Sequence, residues 1–362
     1  MVALLLPSLT GVAHAENLFV APDGSAEFLS ISDALDAAAT GDTIVIAPGS
    51  YAPSTGERLP FYLPTGIALQ GAGAGLTIID ADGEERFAEV YNDGAALGGI
   101  TWTGASGPAA SIAGSLAIDA CAFVGNESTA VYLDDGSTIS DTTFEDNESA
   151  VRANGDVRVG GVRVVARSDS ITPEVQIEGE EGEVDGLTVI GGGGVRLAGA
   201  SSNVAVLGAT SATADGCLHV QDGWLQNSTV VGCGSQIAAQ AEHARNNLIA
   251  HNTGAGLDAD YAVNNLLYAN AGGDFSGTDW TDQLSNLTNV DPLFRDFSDD
   301  GDWTNDDLRL SEGSPAIDAA AADFPATDIE GTPRPQDGDG DGRARADIGA
   351  YEWGQLDADG DG

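Results

Sequence analysis

An all-β parallel solenoid is the fold this sequence predicts. Three observations carry it: a repeat of about 20 residues, asparagines at fixed offsets within it, and short alternating strands with no helical stretch between them. The repeat anchors are Trp102, Phe123, Phe144, Val164, Val189, Val206, Val230, Ile249 and Leu267, at intervals of 21, 21, 20, 25, 17, 24, 19 and 18 residues. The copies are plainest in Asn227-Ser-Thr-Val-Val-Gly-Cys233, Asn246-Asn-Leu-Ile-Ala-His-Asn252 and Asn264-Asn-Leu-Leu-Tyr-Ala-Asn270. Three residues before an anchor stand Asn203, Asn227, Asn246 and Asn264, and three after one stand Asn126, Asn147, Asn252 and Asn270. Asparagine tolerates turn conformations, and in stacked coils its amide can bond the amide one coil away, so both sets are expected as corner ladders.

A second strand follows each anchor, as in Ala130-Val-Tyr-Leu133, Ala150-Val-Arg-Ala153, Glu174-Val-Gln-Ile177, Gly194-Val-Arg-Leu197 and Cys217-Leu-His-Val220. Its period-2 alternation puts every other residue outward. Stacked one per coil, the outward column reads Tyr132, Arg152, Gln176, Arg196, His219, Ala238 and Asp258, with Asn154, Glu178 and Gln221 beside it.

Taken in order, residues 1–15 form an apolar run closing on Ala13-His14-Ala15, the small-x-small pattern of a signal peptide. Residues 16–50 are expected as an N-terminal cap: Ile31, Ala34, Leu35 and Ala38 share one helical face and Gly41 stops the helix, which would cover the open end of the stack. Coils follow over 51–285, an irregular C-terminal extension over 286–354, and an acidic Asp/Gly tail over 355–362. No later segment reaches the ~18 apolar residues of a membrane span. Gly71-Ala-Gly-Ala-Gly75 precedes Leu76-Thr-Ile-Ile-Asp80, which is β-branched and too short for the helix a dinucleotide loop requires; a coil corner is expected there.

Charge narrows the partners. The chain of 362 residues carries 57 acidic and 13 basic side chains, a net charge of −44, and every basic residue is arginine. A surface this acidic repels nucleic acid and favours cations. Of the acids 39 are aspartate and 18 glutamate, a bias toward turns and calcium ligation, although a high-salt habitat selects a similar surface. Asp337, Asp339 and Asp341, and again Asp357, Asp359 and Asp361, sit at positions 1, 3 and 5 of strings with glycine at position 6, so calcium is the expected cofactor. Neither string has the closing glutamate at position 12, so neither is a complete EF-hand. Of Cys121, Cys217 and Cys233, the last two either bridge or are small buried hydrophobes. His243 and His251 read as isolated.

Phe19-Val-Ala-Pro-Asp-Gly-Ser25, Ile31-Ser-Asp-Ala-Leu35 and Gly41-Asp-Thr-Ile-Val-Ile-Ala-Pro-Gly-Ser-Tyr51 resemble the opening of right-handed parallel β-helix proteins of the pectin-lyase-like group. Val290-Asp-Pro-Leu-Phe294, Leu308-Arg-Leu-Ser-Glu-Gly-Ser-Pro-Ala-Ile-Asp-Ala319 and Asp347-Ile-Gly-Ala-Tyr-Glu352 are similar to the close of bacterial secreted β-helix proteins called choice-of-anchor Q. The resemblance implies a single-stranded right-handed helix, export and surface attachment, and no particular reaction.

The functional expectation is a secreted or cell-surface binding or structural module, calcium-stabilised, whose outward column contacts an extracellular polysaccharide or matrix. Tyr132, Arg152, Gln176, Glu178, Arg196 and His219 would be the contacts. The rival expectation is a polysaccharide lyase or hydrolase using Arg152 or Arg196 with His219. In that reading arginine serves as base and calcium screens a uronate.

Overall fold

In the computed structural model, the described residues are 15–354 apart from 92, 109, 113, 168–169, 212–215 and 277–281. Residues 1–14 of the expected leader and the tail that holds Asp357, Asp359 and Asp361 lie outside them.

The chain winds as a right-handed parallel β-helix of about 11 turns. Each coil contributes a strand to each of three parallel sheets. The first runs from Asn17–Val20 through Thr43–Ile46 and Leu116–Asp119 to Tyr261↔Asp282, and the second from Gly49–Tyr51 to Leu287–Thr288. The third starts at Phe61–Leu63 and reaches the Leu257↔Phe275 bridge. All nine repeat anchors stack in one register in the second sheet, which Ile79 and Tyr51 continue toward the N-terminus. Inside, Trp102, Phe123 and Phe144 lie nearly parallel, with centroids 6.3 and 5.1 Å apart.

Corners are sharp because single residues adopt left-handed φ. Between first and second sheets these include Asp141 (46°), Asn203 (51°), Asn227 (44°), Asn246 (57°) and Asn264 (55°), residue types that tolerate this region best. Within this expected set Asn246 Nδ2 donates to Asn227 Oδ1 at 3.3 Å, and a second amide ladder lies one residue further on: Asn247 Nδ2 donates to Asn265 Oδ1 at 2.9 Å and Asn265 Nδ2 to Asn286 Oδ1 at 3.0 Å. At the next corner Asn126 Nδ2 donates to Asn147 Oδ1 at 2.8 Å and Asn252 Nδ2 to Asn270 Oδ1 at 2.7 Å.

Helix α1, Ile31–Ala37, covers the N-terminal end, with Ser30 capping Asp33 N. The buried Glu57 carboxylate accepts from Ile31 N at 2.8 Å and Ser32 N at 2.9 Å, satisfying free amides at the positive end of the helix.

Strands of the second sheet in the later coils, such as Val204 to Leu207 and Leu248–Ala250, are buried on both faces. Such continuous apolar runs need a cover outside as well as a core inside. The C-terminal extension supplies it: Leu308 and Ala350 pack on Leu207 and Val231, and Leu310, Ala316 and Ile348 on Leu248 and Leu266. The 25-residue interval is an insertion between Val165 and Val175, at the corner before the third sheet. Cys217 and Cys233 form a disulfide. Cys121 is free and buried, and burial pushes its thiol up to about 11. Among the described residues no helix is long and apolar enough to cross a membrane.

Candidate functional site

On the third sheet, backbone register places Tyr132, Arg152, Gln176, Arg196 and His219 in one outward column, one residue per coil. The next position is Gln240, followed by Asp258. This corrects the sequence reading, which put Ala238 there. In Gln236-Ile-Ala-Ala239 the alternation points to Ile237 as the inward residue, yet it is half-buried and pairs with Ala255, while Ala239 faces inward opposite Leu218. The largest apolar side chain of a strand therefore misled the register by two residues. In the other direction the column continues to Tyr62 and Glu89, opposite each other on the first two third-sheet strands. Their anchors lie upstream of the clearest repeats, so periodicity alone did not reach them.

The column lines a groove. A cavity of about 370 Å³ is lined by Tyr132, Arg152, Gln176 and Glu178 with Glu148 and Asn154. It shares Gln176 and Glu178 with one of about 290 Å³ that holds Arg196, His219 and Gln221. That one shares His219 and Gln221 with a third, of about 420 Å³, lined by Asp222, Gln240, Glu242, Asp258 and Asp260. Arg152 donates to Gln176 Oε1 at 2.9 Å, and Gln176 Nε2 to Glu178 Oε1 at 2.7 Å. This relay fixes the orientation of the amide and of the guanidinium, and the groove changes from arginine-bearing to acidic along its length.

Beside the insertion, Glu174 is buried with its Oε1 lacking a hydrogen-bond partner, and burial pushes its carboxyl up to about 7.

A second cluster lies in the C-terminal extension. Asp318, Asp337 and Asp339 each place one carboxylate oxygen within 4.8 Å of the others. Asp341, expected as their co-ligand, is exposed and turned toward Arg345 at 3.6 Å. Asp318, absent from the expected set, comes from the Ala-Ile-Asp string 19 residues before Asp337, too far for a local motif. Asp318 accepts from Asp339 N at 2.7 Å, which holds the string against the extension. Behind it, Arg334 and Glu352 form a fully buried ion pair at 3.1 Å. Burial with Glu352 nearby pushes Asp347 up to about 8.

The histidines read as isolated are not. His243 stacks on Trp224 at 4.5 Å and meets Tyr261 edge-on; His251 stacks on Phe297 at 4.4 Å. The first pairing joins neighbouring coils and the second joins coil to extension, neither visible within one repeat.

Residues 21–172 match a family model described as "Protein of unknown function (DUF1565)". No curated protein matches the chain. Among solved structures, the pectate lyase Pel9A is similar at 16% identity and a TM-score of 0.49, covering 95% of this chain and 98% of that one. The catalytic unit of a GH87 alpha-1,3-glucanase from Streptomyces thermodiastaticus aligns at 13% identity and 0.44, covering 72% of this chain and 66% of that one. The A-module of the mannuronan C-5 epimerase AlgE4 from Azotobacter vinelandii aligns at 15% identity and 0.34, covering 71% and 89%.

Proposed function

We propose that this protein is a secreted or surface-attached polysaccharide-binding β-helix. The observation that carries the reading is the continuous groove on the third sheet, where Tyr132, Arg152, Gln176, Arg196, His219, Gln240 and Asp258 recur once per coil. At ~4.8 Å per coil the column extends roughly 29 Å. A shallow, regular, hydrogen-bonding track of that length suits an extended chain of similar units better than a compact small molecule. The Cys217–Cys233 disulfide supports export.

Binding is preferred over catalysis because Arg152, aimed by its bond to Gln176, offers only hydrogen-bond donors, suited to holding carboxylate or hydroxyl oxygens rather than taking a proton. Calcium belongs to the same reading: Asp318, Asp337 and Asp339 would hold it, with backbone carbonyls or water completing the six to eight oxygens it takes. The ion would tie the Asp337-Gly-Asp339 string to Asp318 within the extension.

The test is affinity electrophoresis of the folded chain through gels containing a uronate, a sulfated or a neutral polysaccharide. Retardation by one polymer, weakened in steps by Arg152→Ala, Arg196→Ala and Gln240→Ala, is the expected result. No retardation by any of the three overturns the reading. Cleavage that Arg196→Ala abolishes while binding persists gives the enzyme reading instead.

A further inference from the structure

Tyr62 and Tyr91 are each 60% exposed, the most exposed aromatic side chains among the described residues. The two rings are nearly parallel, 12° apart in plane, with centroids 6.5 Å apart. Such a separation lies at the far limit of direct ring contact. The two exposed rings therefore stand as neighbouring, nearly parallel apolar faces that one flat ligand can contact together.

The pair is held from below. The Tyr91 hydroxyl donates to the Glu89 carboxylate, and Arg86 Nη1 donates to the other Glu89 oxygen at 2.7 Å. Glu89 itself faces Tyr62 across the strand pair. Tyr91 is thereby positioned before any ligand arrives, which lowers the ordering cost of binding. Tyr62 also belongs to the outward column that runs on to Tyr132, three coils away, or roughly 14 Å at ~4.8 Å per coil.

We propose that Tyr62 and Tyr91 form an aromatic end subsite that takes one pyranose ring of a polysaccharide, its following units running down the third-sheet groove. The inference rests on the polysaccharide reading above and adds a terminus and a direction to it. The chemistry is the match between the electron-rich faces of the phenol rings and the positively polarised C–H groups on both faces of a pyranose. A protein partner is disfavoured because the apolar surface here is narrow, the two rings and the Leu35–Leu59–Pro60 cavity beside Tyr62, and is bordered by Arg58, Asp36, Arg86, Glu85 and Glu89.

The experiment measures dissociation constants for short and long oligomers of whichever of the three gel polysaccharides retards the wild-type chain. Tyr62→Ala should weaken the long oligomer about tenfold, the loss of a ring stack worth about 1.4 kcal/mol, and leave the short one unchanged. Tyr62→Phe should keep wild-type affinity, and Tyr91→Phe, which loses the Glu89 tether, should fall between. Nitration of Tyr62 and Tyr91 by tetranitromethane, read by mass spectrometry, should be suppressed by the long oligomer alone. Equal affinities for wild type and Tyr62→Ala, or unprotected tyrosines, overturn the subsite while leaving groove binding intact. A wild-type chain that no polysaccharide retards overturns both.

Discussion

Asn227 and Asp347, 120 positions apart in the chain, meet where Asn227 Nδ2 donates to the Asp347 carbonyl at 3.0 Å. Asn246 reaches Ala321, Asn264 reaches Ala319 and Asn203 reaches Thr327 in the same way. A row of left-handed corners in the solenoid thus presents side chains to the extension's backbone. Asn227→Gly keeps the φ of 44° accessible and removes the bond, so it should destabilise docking of the extension by about 1–2 kcal/mol. Limited proteolysis followed by mass spectrometry should show faster cleavage between residues 298 and 345, with coils 51–285 still protected.

Trp303 lies against Gly208 and Gly232, where a Cβ would come within 2.0 and 2.2 Å of its indole. Both glycines also have left-handed φ, 62° and 70°. Gly232→Ala should therefore cost about 2–3 kcal/mol, from overpacking together with backbone strain. Trp303→Ala leaves the glycines in place and exposes Leu207 and Val231. Thermal unfolding of both variants should show lowered midpoints, and the double variant should lose less than the sum, since removing the indole relieves the clash.

Much of the fold is legible in the sequence because coils repeat and the core selects apolar residues at one phase. From Trp102 to Leu267 the anchors stack as their spacing indicates. The corner asparagines show where this stops. In Asn246-Asn247 the spacing picks out Asn246 as the ladder residue, but Asn247 carries the ladder, donating to Leu225 O at 2.9 Å and to Asn265 Oδ1 at 2.9 Å. Asn246 does donate to Asn227 Oδ1 one coil away at 3.3 Å, as its spacing indicates, but it also holds the turn and the extension. One-residue phase is decided by burial, which a string of two identical residues does not encode. The groove was legible to the same degree: its residues repeat, but an insertion and the weak contrast of Ile237-Ala-Ala239 hid the shift at Gln240. Asp318 was not legible because it joins Asp337 only through the folded extension. The division of labour is measurable. Asn247→Ala should lower the midpoint of the whole solenoid by leaving several buried backbone groups unpaired, at about 3 kcal/mol, whereas Asn246→Gly, which loses two bonds to the extension and one to Asn227, should act chiefly on the extension.

Calcium should raise the unfolding midpoint of residues 16–362 at fixed ionic strength, with magnesium as control, because only a ligand that prefers the native state stabilises it. Asp339→Asn and Asp318→Asn should each remove most of that increment, whereas Asp341→Asn should remove little, since its carboxylate faces Arg345. Equal action by calcium and magnesium, or a response to bulk salt only, assigns the aspartates to a screened acidic surface.

Glu174 predicts a specific pH dependence. Its carboxyl is raised from 4.5 to about 7 in the fold, chiefly by burial, so between those values the native state holds a proton that the unfolded chain has released. Stability from this group is full below pH 4.5, falls as pH rises to about 7 and is level beyond. Glu174→Gln keeps the shape and cannot ionise, so the wild-type midpoint should drop relative to the variant across that window, by up to about 3 kcal/mol at neutral pH. The comparison isolates the site from the repulsion among the other acids, which both proteins share. Because Glu174 lies at the end of the insertion beside the groove, amide exchange over residues 166–174 should speed up over the same pH range in wild type and stay slow in Glu174→Gln, whereas an identical pH profile in the two proteins would show that the carboxyl remains ionised and hydrated in the fold.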